Sequence, residues 1–384
     1  MPDPRHSERI VSATTPVSIP EPVPDWAVRY NAGDYPPHGV TGDAVALSLA
    51  WNGNECALHA LLVVRGKDPF AGLDAWPGGF MEWMEDDDSL QTAIRELREE
   101  TGVAAPEFVE ALASYSRNGR DPRQFAGYRD DKTGEWIARG ARVTTNAYLM
   151  LVRRAEGDEP AHADDASDAR WVDVYSHLPW EDVREGRTAA HHAEEVLDVW
   201  AAEGPPERVR RVADAFGRDE WNEERTADRF ALLMESGLVP EARRDLWGRS
   251  EPRDEDARFG REMAFDHRHI LADALGRLRG KIKYLPAALM ALTGPELTLD
   301  ELQAACEAIA GRPLHRANFR RAVAQQGTGE TRAPRLVGKT GRTRQREGRG
   351  PGVAPEIYCF LPESTRARLE NSIRFPWLPL AGGR

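Results

Sequence analysis

The chain has 384 residues, with 51 Lys and Arg against 63 Asp and Glu and a net charge of -12. This length favours two or three domains, and a hydrophobic content of 41% is enough for buried cores. The sequence has no apolar run of about 18 residues and no secretory leader, so we expect neither a membrane span nor export. Its three cysteines, Cys56, Cys306 and Cys359, lack metal-ligand spacing and predict reduced thiols in a cytoplasmic protein.

The charge is distributed unevenly along the chain. From Arg261 to the C-terminus there are 21 Lys and Arg and 12 Asp and Glu, a net charge of +9. The part up to Gly260 holds 30 basic and 51 acidic residues, a net charge of -21. This asymmetry predicts that only the C-terminal part binds a polyanion.

The first 180 residues divide into a tail and an α/β domain. Residues 1–40 contain eight prolines and little periodicity, which is typical of a flexible N-terminus. Residues 41–180 alternate strand-like and helical segments. Strands are predicted at 45–49, 58–64, 142–152 and 169–174, and Asn52-Gly53-Asn54 forms a turn between the first two.

Residues 181–262 are highly charged and have helical apolar spacing. Three helices are predicted there, at 191–202, 207–216 and 223–235. Pro205-Pro206 and Gly237 separate or end them. We interpret this stretch as a helical insertion between two domains.

Residues 95–103, Arg-Glu-Leu-Arg-Glu-Glu-Thr-Gly-Val, contain the most informative motif. On a helix, Glu96 lies on the same face as Glu99 and Glu100, where three carboxylates repel one another. A hard cation such as Mg²⁺ or Mn²⁺ relieves that repulsion and can hold a phosphate. Arg95 can orient one carboxylate. The alternative is a solvated acidic helix face that ends at a glycine cap.

The upstream segment favours the metal-binding alternative. It contains a rigid turn, Trp76-Pro77-Gly78-Gly79-Phe80, and an acidic run, Glu82, Glu85, Asp86, Asp87 and Asp88. Together with the helix, these residues resemble the Nudix box, which implies an α/β/α sandwich that binds metal-chelated diphosphates. The loop departs from the family pattern because it is about two residues longer. Glu85 has the family spacing from Gly79 but lies too far from Arg95, whereas Asp87 has the family spacing to Arg95 but lies too far from Gly79. We assign the metal ligands to Glu96, Glu99, Glu100 and Asp87.

Residues 263–384 have the pattern of a winged helix-turn-helix. A helix is predicted at 267–279, and Thr298-Leu299-Asp300-Glu301 has the form of a capping box that begins another. The turn Gly311-Arg312-Pro313 leads to a basic helix at 315–325. Strands predicted at 333–337 and 356–361 enclose a basic, glycine-rich loop.

In such a domain the second helix reads base edges in the major groove, and the wing contacts phosphates. We assign base contacts to Arg316, Asn318, Arg320 and Arg321, whose side chains suit guanine and adenine. We assign phosphate contacts to Lys339, Arg342, Arg344 and Arg346. The alternative is a charged loop on a protein-interaction module.

Both halves together resemble the NrtR family of Nudix-related transcriptional regulators of NAD metabolism. The segments that carry the resemblance are 63–80, 120–123, 264–275 and 311–321. The resemblance implies a homodimeric repressor whose Nudix domain senses ADP-ribose or a related nucleotide and whose winged helix binds double-stranded DNA. The insertion of about 80 residues and the long basic wing depart from the family.

The resemblance also implies site residues. We expect the diphosphate near Gly78, Gly79 and Phe80, bridged by a divalent cation, with Arg65 and Arg120 as further nucleotide contacts. The alternative is an active pyrophosphohydrolase that cleaves ADP-ribose, with Arg95 and the carboxylates of Glu96, Glu99 and Glu100 as catalytic residues. A third alternative, an interaction scaffold, predicts that neither nucleotide nor DNA binds.

Overall fold

The structure is a computed structural model that describes residues 38–82, 85–103, 106–154, 160, 168–217, 221–324, 335–344 and 354–362. Its elements fall into a large mixed sheet with one packed helix, a set of helices from the 181–262 segment, and a small helix-and-sheet unit near the C-terminus. No helix in these ranges is long and apolar enough to cross a membrane.

A seven-stranded sheet forms the core of the N-terminal part. Its strands are β1 (His38–Asn52), β2 (Glu55–Val64), β3 (Asp74–Ala75), β4 (Gly78–Phe80), β5 (Phe108–Tyr115), β8 (Arg142–Leu151) and β9 (Ala169–Asp173). The main order is β3-β2-β1-β8-β5, while β4 pairs with β1 and β9 with β2. The long central pair β1 and β8 is parallel, and β1 joins β2 through a tight hairpin in which Gly53 has a φ of 60°. A separate two-stranded hairpin consists of β6 (Gly127–Arg129) and β7 (Trp136–Ala138).

Side chains alternate between the two faces of β1, so this strand builds two cores. Ala44 and Ala46 pack with Ala93 and Leu97 of helix α1 (Ser89–Thr101) on one face. Val45 and the other alternate residues pack on the opposite face with the C-terminal helices. The side chain of Asp88 caps the first turn of α1, and Gly102, with a φ of 68°, ends it in the left-handed conformation.

The 181–262 segment contributes three helices: α2 (Thr188–Ala202), α3 (Pro206–Phe216) and α4 (Thr226–Glu235). Helix α4 packs against α5 (His267–Tyr284), and α2 packs against α3. The three helices contribute Leu197, Phe216 and Phe230 to the large core. Helix α6 (Pro286–Thr293), which the sequence analysis did not predict, follows α5 directly. Its apolar residues include Leu289 and Leu292, both buried.

The C-terminal unit has a winged-helix arrangement. Helix α7 (Leu299–Ala310) begins with the predicted capping box at Thr298 and Glu301, and a turn at Gly311 leads to α8 (Arg316–Ala324). A three-stranded sheet of order β10-β12-β11 packs beside them, with β10 at Glu296–Leu297, β11 at Val337–Thr343 and β12 at Glu356–Phe360.

The structure confirms the predicted mixed α/β fold with a winged helix-turn-helix. One strand prediction is wrong: β11 begins at Val337, where the predicted strand was to end, and continues through the basic stretch to Thr343. An exposed edge strand buries few side chains, so it can contain glycine and charged residues. This strand contains Gly338, Gly341 and several charged residues, and its sequence therefore lacks the apolar pattern of a strand. Arg346 lies outside the described residues.

A buried ion cluster ties the parts together. The carboxylate of Glu181 accepts hydrogen bonds from Arg229 of α4 at 2.5 and 2.8 Å and from Arg279 of α5 at 2.6 Å. Arg279 also donates to the carbonyl oxygen of Ile309, at the end of α7. Burial alone would raise the pKa of Glu181, but the two guanidinium groups hold it below its ordinary value. All three charged side chains are fully buried, so each depends on the others for its solvation.

We expect Glu181→Gln to lower the free energy of unfolding of the full chain by about 3–5 kcal/mol, because it leaves two buried guanidinium groups without their counter-charge. The matched control is Glu235→Gln, which breaks a half-exposed pair with Arg211 and should cost about 1 kcal/mol or less. Chemical denaturation at pH 7 measures both. Equal losses in the two variants would contradict this role for the cluster.

Candidate functional site

A glycine turn forms one wall of a cleft at the edge of the large sheet. In β4, Gly78 pairs with Asp43 and Gly79 pairs with Gly42 of β1. A Cβ atom at Gly79 would lie 2.0 Å from Oε1 of Glu96, and one at Gly78 would lie 2.4 Å from Oδ1 of Asp43. A Cβ atom at Gly78 would also lie 2.8 Å from the carbonyl oxygen of Gly42, so the backbone leaves no room for a side chain there. At Gly79 the end of the Glu96 side chain would have to move.

Arg95 organises the acidic end of this site. Its guanidinium donates to both carboxylate oxygens of Asp86, at 3.2 and 3.0 Å, and to Glu96 at 2.9 Å and Glu99 at 3.2 Å. Asp86 is therefore the loop carboxylate that contacts Arg95, and the predicted metal ligand Asp87 does not. The exposed Asp87 instead exchanges hydrogen bonds with Gln91.

The carboxyl groups that face the glycine turn are poorly solvated. The backbone N–H of Gly78 donates to Oε2 of Glu100 at 3.1 Å. Burial, together with the neighbouring charge of Glu96, raises the pKa of Glu100 to about 7. Burial also raises the pKa of Glu96, although Arg95 opposes this. Burial therefore disfavours the ionised form of both carboxyl groups.

Nudix hydrolases generally use divalent cations, so the residues can be tested for such a site. Glu96 and Glu100 supply the oxygen donors that Mg²⁺ prefers. However, no group of three metal-ligating side chains comes together within the described ranges. Glu99 is bound to Arg95, and Asp87 to Gln91. The predicted four-carboxylate set does not converge in this arrangement, and we derive no step through a metal.

A buried carboxyl–imidazole pair forms the floor of the cleft. Nδ1 of His267 accepts a hydrogen bond from the backbone N–H of Trp76 at 2.9 Å, so a neutral ring carries its proton on Nε2. That nitrogen lies 3.5 Å from Oδ2 of Asp43. Burial and the neighbouring arginines lower the pKa of His267 well below its ordinary value. Burial raises the pKa of Asp43 to about 7.

Arginines and aromatic rings complete the cleft. The guanidinium of Arg65 lies 4.7 Å from the ring centre of Phe265, and that of Arg123 lies 4.9 Å from the ring centre of Phe80. Arg120 is buried and donates two hydrogen bonds to Asp266, at 2.9 and 2.6 Å. Cations above ring faces, beside exposed backbone at a glycine turn, form a surface suited to a phosphate and a planar base.

The structure brings the predicted ligand residues Gly78, Gly79, Phe80, Arg65 and Arg120 to one cleft. Sequence reasoning missed the other contributors, Asp43, Asp86, Arg123, Phe265 and His267. Two of these, Phe265 and His267, lie in the Phe-Asp-His segment that carried the family resemblance. Their presence in that segment was the available signal, but nothing local showed that it reaches the cleft.

The predicted DNA-binding residues form a second charged surface on the winged helix. Each of its described cations except Arg321 is paired with a carboxylate: Arg316 and Arg320 with Asp300, Lys339 with Glu356, Arg342 with Glu296, and Arg344 with Glu301. Asn318 and Arg321 are exposed on α8. These cations are therefore held in place on the surface before any duplex is present.

Two family profiles match the chain. The profile described as NUDIX domain matches residues 42–192, and the profile described as NrtR DNA-binding winged helix domain matches residues 290–352. Most of the 181–262 segment and the whole of α5 lie outside both matches.

Two curated proteins are similar in sequence. The ADPR responsive transcriptional repressor NtrR of Acinetobacter baylyi is 23% identical over 317 residues, which span 82% of this chain and 84% of that protein. The ADP-ribose pyrophosphatase of Methanocaldococcus jannaschii is 43% identical over 119 residues, 31% of this chain and 56% of that protein.

Among solved structures, Shewanella oneidensis NrtR in complex with a 27mer DNA aligns with a TM-score of 0.46 and 21% identity over 87% of this chain and 99% of that chain. A MutT/nudix family protein from Enterococcus faecalis aligns with a TM-score of 0.47 and 19% identity over 88% of this chain and 91% of that chain.

The raised pKa of Asp43 predicts a pH-dependent stability. Between its ordinary value of 3.8 and about 7, the folded protein binds a proton that the unfolded chain has released, so stability falls as pH rises and levels off above 7. Asp43→Asn cannot ionise and should escape this loss, gaining roughly 2–4 kcal/mol over the parent protein between pH 5 and pH 8. Unfolding at the two pH values, with exposed Asp214→Asn as control, measures the gain. A constant difference would refute the assignment.

Proposed function

Because the chain joins a Nudix domain to the DNA-binding winged helix domain of NrtR and is homologous to NrtR/NtrR proteins, we propose that it is a ligand-sensing transcriptional repressor. In this proposal the Nudix cleft binds ADP-ribose or a related NAD-derived nucleotide, and the occupied cleft changes the affinity of the winged helix for its operator. The similarity to the ADPR responsive repressor of Acinetobacter baylyi supports both parts.

One observation carries the proposal: the helix that leads to the winged helix begins inside the nucleotide cleft. Phe265 and His267 line the cleft, and α5 starts at His267. In the C-terminal half of this helix, Arg279 donates to the carbonyl oxygen of Ile309 in α7. A ligand that moves the first turn of α5 therefore acts on an element that also contacts the DNA-binding domain.

The cleft has the chemistry that a nucleoside diphosphate requires. Backbone at Gly78 and Gly79 can approach a diphosphate closely, and guanidinium groups can neutralise it. The exposed ring of Phe80 offers a face on which a base can stack, whereas the buried ring of Phe265 lies beneath Arg65. The raised pKa of Glu100, at about 7, limits the negative charge that a bound diphosphate would meet.

Arg120 gives a concrete route from ligand to helix. Its guanidinium holds Asp266, the residue immediately before α5, through two hydrogen bonds. A phosphate that binds Arg120 competes with Asp266 for the same donors. Loss of the hydrogen bonds between Arg120 and Asp266 would release the start of α5. The ligand then stabilises the placement of the winged helix in which these hydrogen bonds are absent.

DNA binding by this protein is proposed to involve a homodimer, since two winged helices can then meet two half-sites about one helical turn apart. Arg316, Asn318, Arg320 and Arg321 would contact base edges, and Lys339, Arg342 and Arg344 would contact phosphates. A ligand-driven change in the relative placement of the two domains would spoil the fit to both half-sites at once.

For the first test, the full chain selects a duplex from a random library. ADP-ribose is then titrated into the protein–DNA complex, with EDTA present to prevent hydrolysis of the ligand. We expect saturating ADP-ribose to change the DNA dissociation constant at least about 5-fold. Gly79→Ala should abolish the response and keep the DNA affinity, because its methyl group displaces the carboxylate of Glu96 from its place beside the glycine turn. Gly66→Ala, which has open space around its Cβ, is the control.

Three outcomes would reject the proposal. They are DNA affinity that does not respond to ADP-ribose in the parent protein, a response that survives in Gly79→Ala, and failure of the full chain to prefer any duplex.

Asp300 is expected to limit non-specific DNA binding, because it neutralises Arg316 and Arg320 at 3.0 and 2.8 Å on the face that meets DNA. Asp300→Asn should raise the affinity for random duplex roughly 3- to 10-fold at low salt and reduce the preference for the selected site. Fluorescence anisotropy at several salt concentrations measures this. Asp214→Asn removes the same charge from the exposed face of α3 and should change neither affinity, whereas equal effects would show a net-charge effect only.

A second candidate, pyrophosphohydrolase activity, is favoured by the similarity to an ADP-ribose pyrophosphatase and by the complete set Glu96, Glu99 and Glu100. The reaction would add water to ADP-ribose and release AMP and ribose 5-phosphate. Against it, Arg95 engages Glu96 and Glu99, and no group of three metal-ligating side chains comes together within the described ranges. AMP release with Mg²⁺ or Mn²⁺, compared with Glu99→Gln, distinguishes the two: release that depends on Glu99 supports an enzyme.

A further inference from the structure

A second cavity lies between the Nudix sheet, the 181–262 segment and the start of α5. Its volume is about 1100 Å³, a size that accommodates a small organic molecule. The loop after β5, with Arg117, forms one wall, and α4, with Phe230 and Met234, forms the opposite wall. Helix α4 lies outside both family-profile matches, so this chain builds the cavity with its own additional segment.

This cavity shares a partition with the nucleotide cleft but is not part of it. Arg120 and Phe265 line both spaces. The two hydrogen bonds between Arg120 and Asp266 hold the partition in place. Phe70 packs edge to face with Phe265 at a centroid distance of 4.8 Å, which adds a second ring to the partition. The glycine turn and the acidic helix α1 do not line the second cavity.

Aromatic side chains form much of the lining of the second cavity. The aromatic residues are Phe70, Tyr115, Phe125, Phe230, Phe265 and His269. His269 lies at the centre of this group, 5.9 Å from Phe230 and 6.1 Å from Tyr115 between ring centres, and both pairs meet edge to face. Met234 adds a flexible apolar side chain. A planar aromatic ring is the group that such walls bind most favourably.

The charges of the lining are balanced, with one exception. Arg120 is paired with Asp266, Arg244 with Glu262, Arg268 with Glu241, Arg211 with the lining residue Glu235, and Arg249 with the lining residue Asp245. Arg117, exposed at the cavity mouth, has no carboxylate within ion-pair distance among the described residues. An uncompensated guanidinium at the mouth favours a ligand with an anionic group at one end.

We propose that this cavity is a second binding site, for a small molecule with an aromatic ring and an anionic group, of the class of a nucleoside monophosphate. The ring lies among the aromatic residues, and the anionic group lies at Arg117. Because the partition is shared, occupancy of this site and of the nucleotide cleft are linked, and each ligand changes the affinity of the other by the same factor.

The experiment measures binding of three probes to the full chain by calorimetry in EDTA. AMP carries both a ring and an anion, adenosine lacks the anion, and ribose 5-phosphate lacks the ring. We use Gly79→Ala as the background, since we expect it to lose the response of the nucleotide cleft to its ligand. AMP is expected to bind with a dissociation constant below 1 mM, on the order of the weakest specific ligands, and more tightly than either partial probe.

Variants locate the site. Arg117→Gln should weaken AMP binding about 10-fold and leave adenosine unchanged, whereas Arg210→Gln, on the outer face of α3, should change neither. Met234→Trp narrows the space between α4 and the loop after β5 and should weaken binding of both AMP and adenosine. A melting curve shows whether this variant folds, and Arg117→Gln stands as the test if it does not.

AMP that does not bind, or that binds equally to Arg117→Gln and the parent background, overturns the proposal. This result is separable from the function proposed above, which depends on the response to ADP-ribose of a chain with an intact Gly79.

Discussion

The side chain of Arg279 makes the contact on which the arrangement of the whole chain depends. From the middle of α5 it reaches Glu181 at the end of the Nudix part and the carbonyl oxygen of Ile309 in the winged helix. Arg229, from the 181–262 segment, shares the same carboxylate. A buried charge must keep its partners because water is unavailable as a substitute. The cluster therefore couples the three parts sterically and electrostatically.

Through α5, this constraint connects the proposed nucleotide cleft to the winged helix. Arg279, in the C-terminal half of α5, lies among buried charges. The first residue of the helix, His267, lies on the cleft floor. Arg120 holds Asp266, which immediately precedes the helix. The cleft itself contains titratable groups with opposed shifts: the pKa of Asp43 is raised, and that of His267 is lowered, so both favour their neutral forms. A neutral floor and cationic walls are compatible with a dianionic ligand.

Local signals predicted α1 and its glycine end, the hairpin at Gly53 and the capping box at Thr298, because these depend on residues within a few positions of one another. The glycine turn was also identified from sequence. Asp43 and His267 were missed because they meet only after the chain has folded, 224 positions apart. No local pattern showed that Arg95 would contact Asp86 rather than Asp87, since a loop of altered length can present either carboxylate.

Helix α5 has 18 residues, which corresponds to a rod about 27 Å long. A rod converts a small tilt at one end into a proportionate displacement at the other: about 5° of tilt moves the far end by roughly 2 Å. That displacement is comparable to the precision with which a protein side chain must meet a base edge for a bidentate hydrogen bond. In the proposed repressor, the length of α5 therefore sets how far a tilt at the cleft displaces the winged helix.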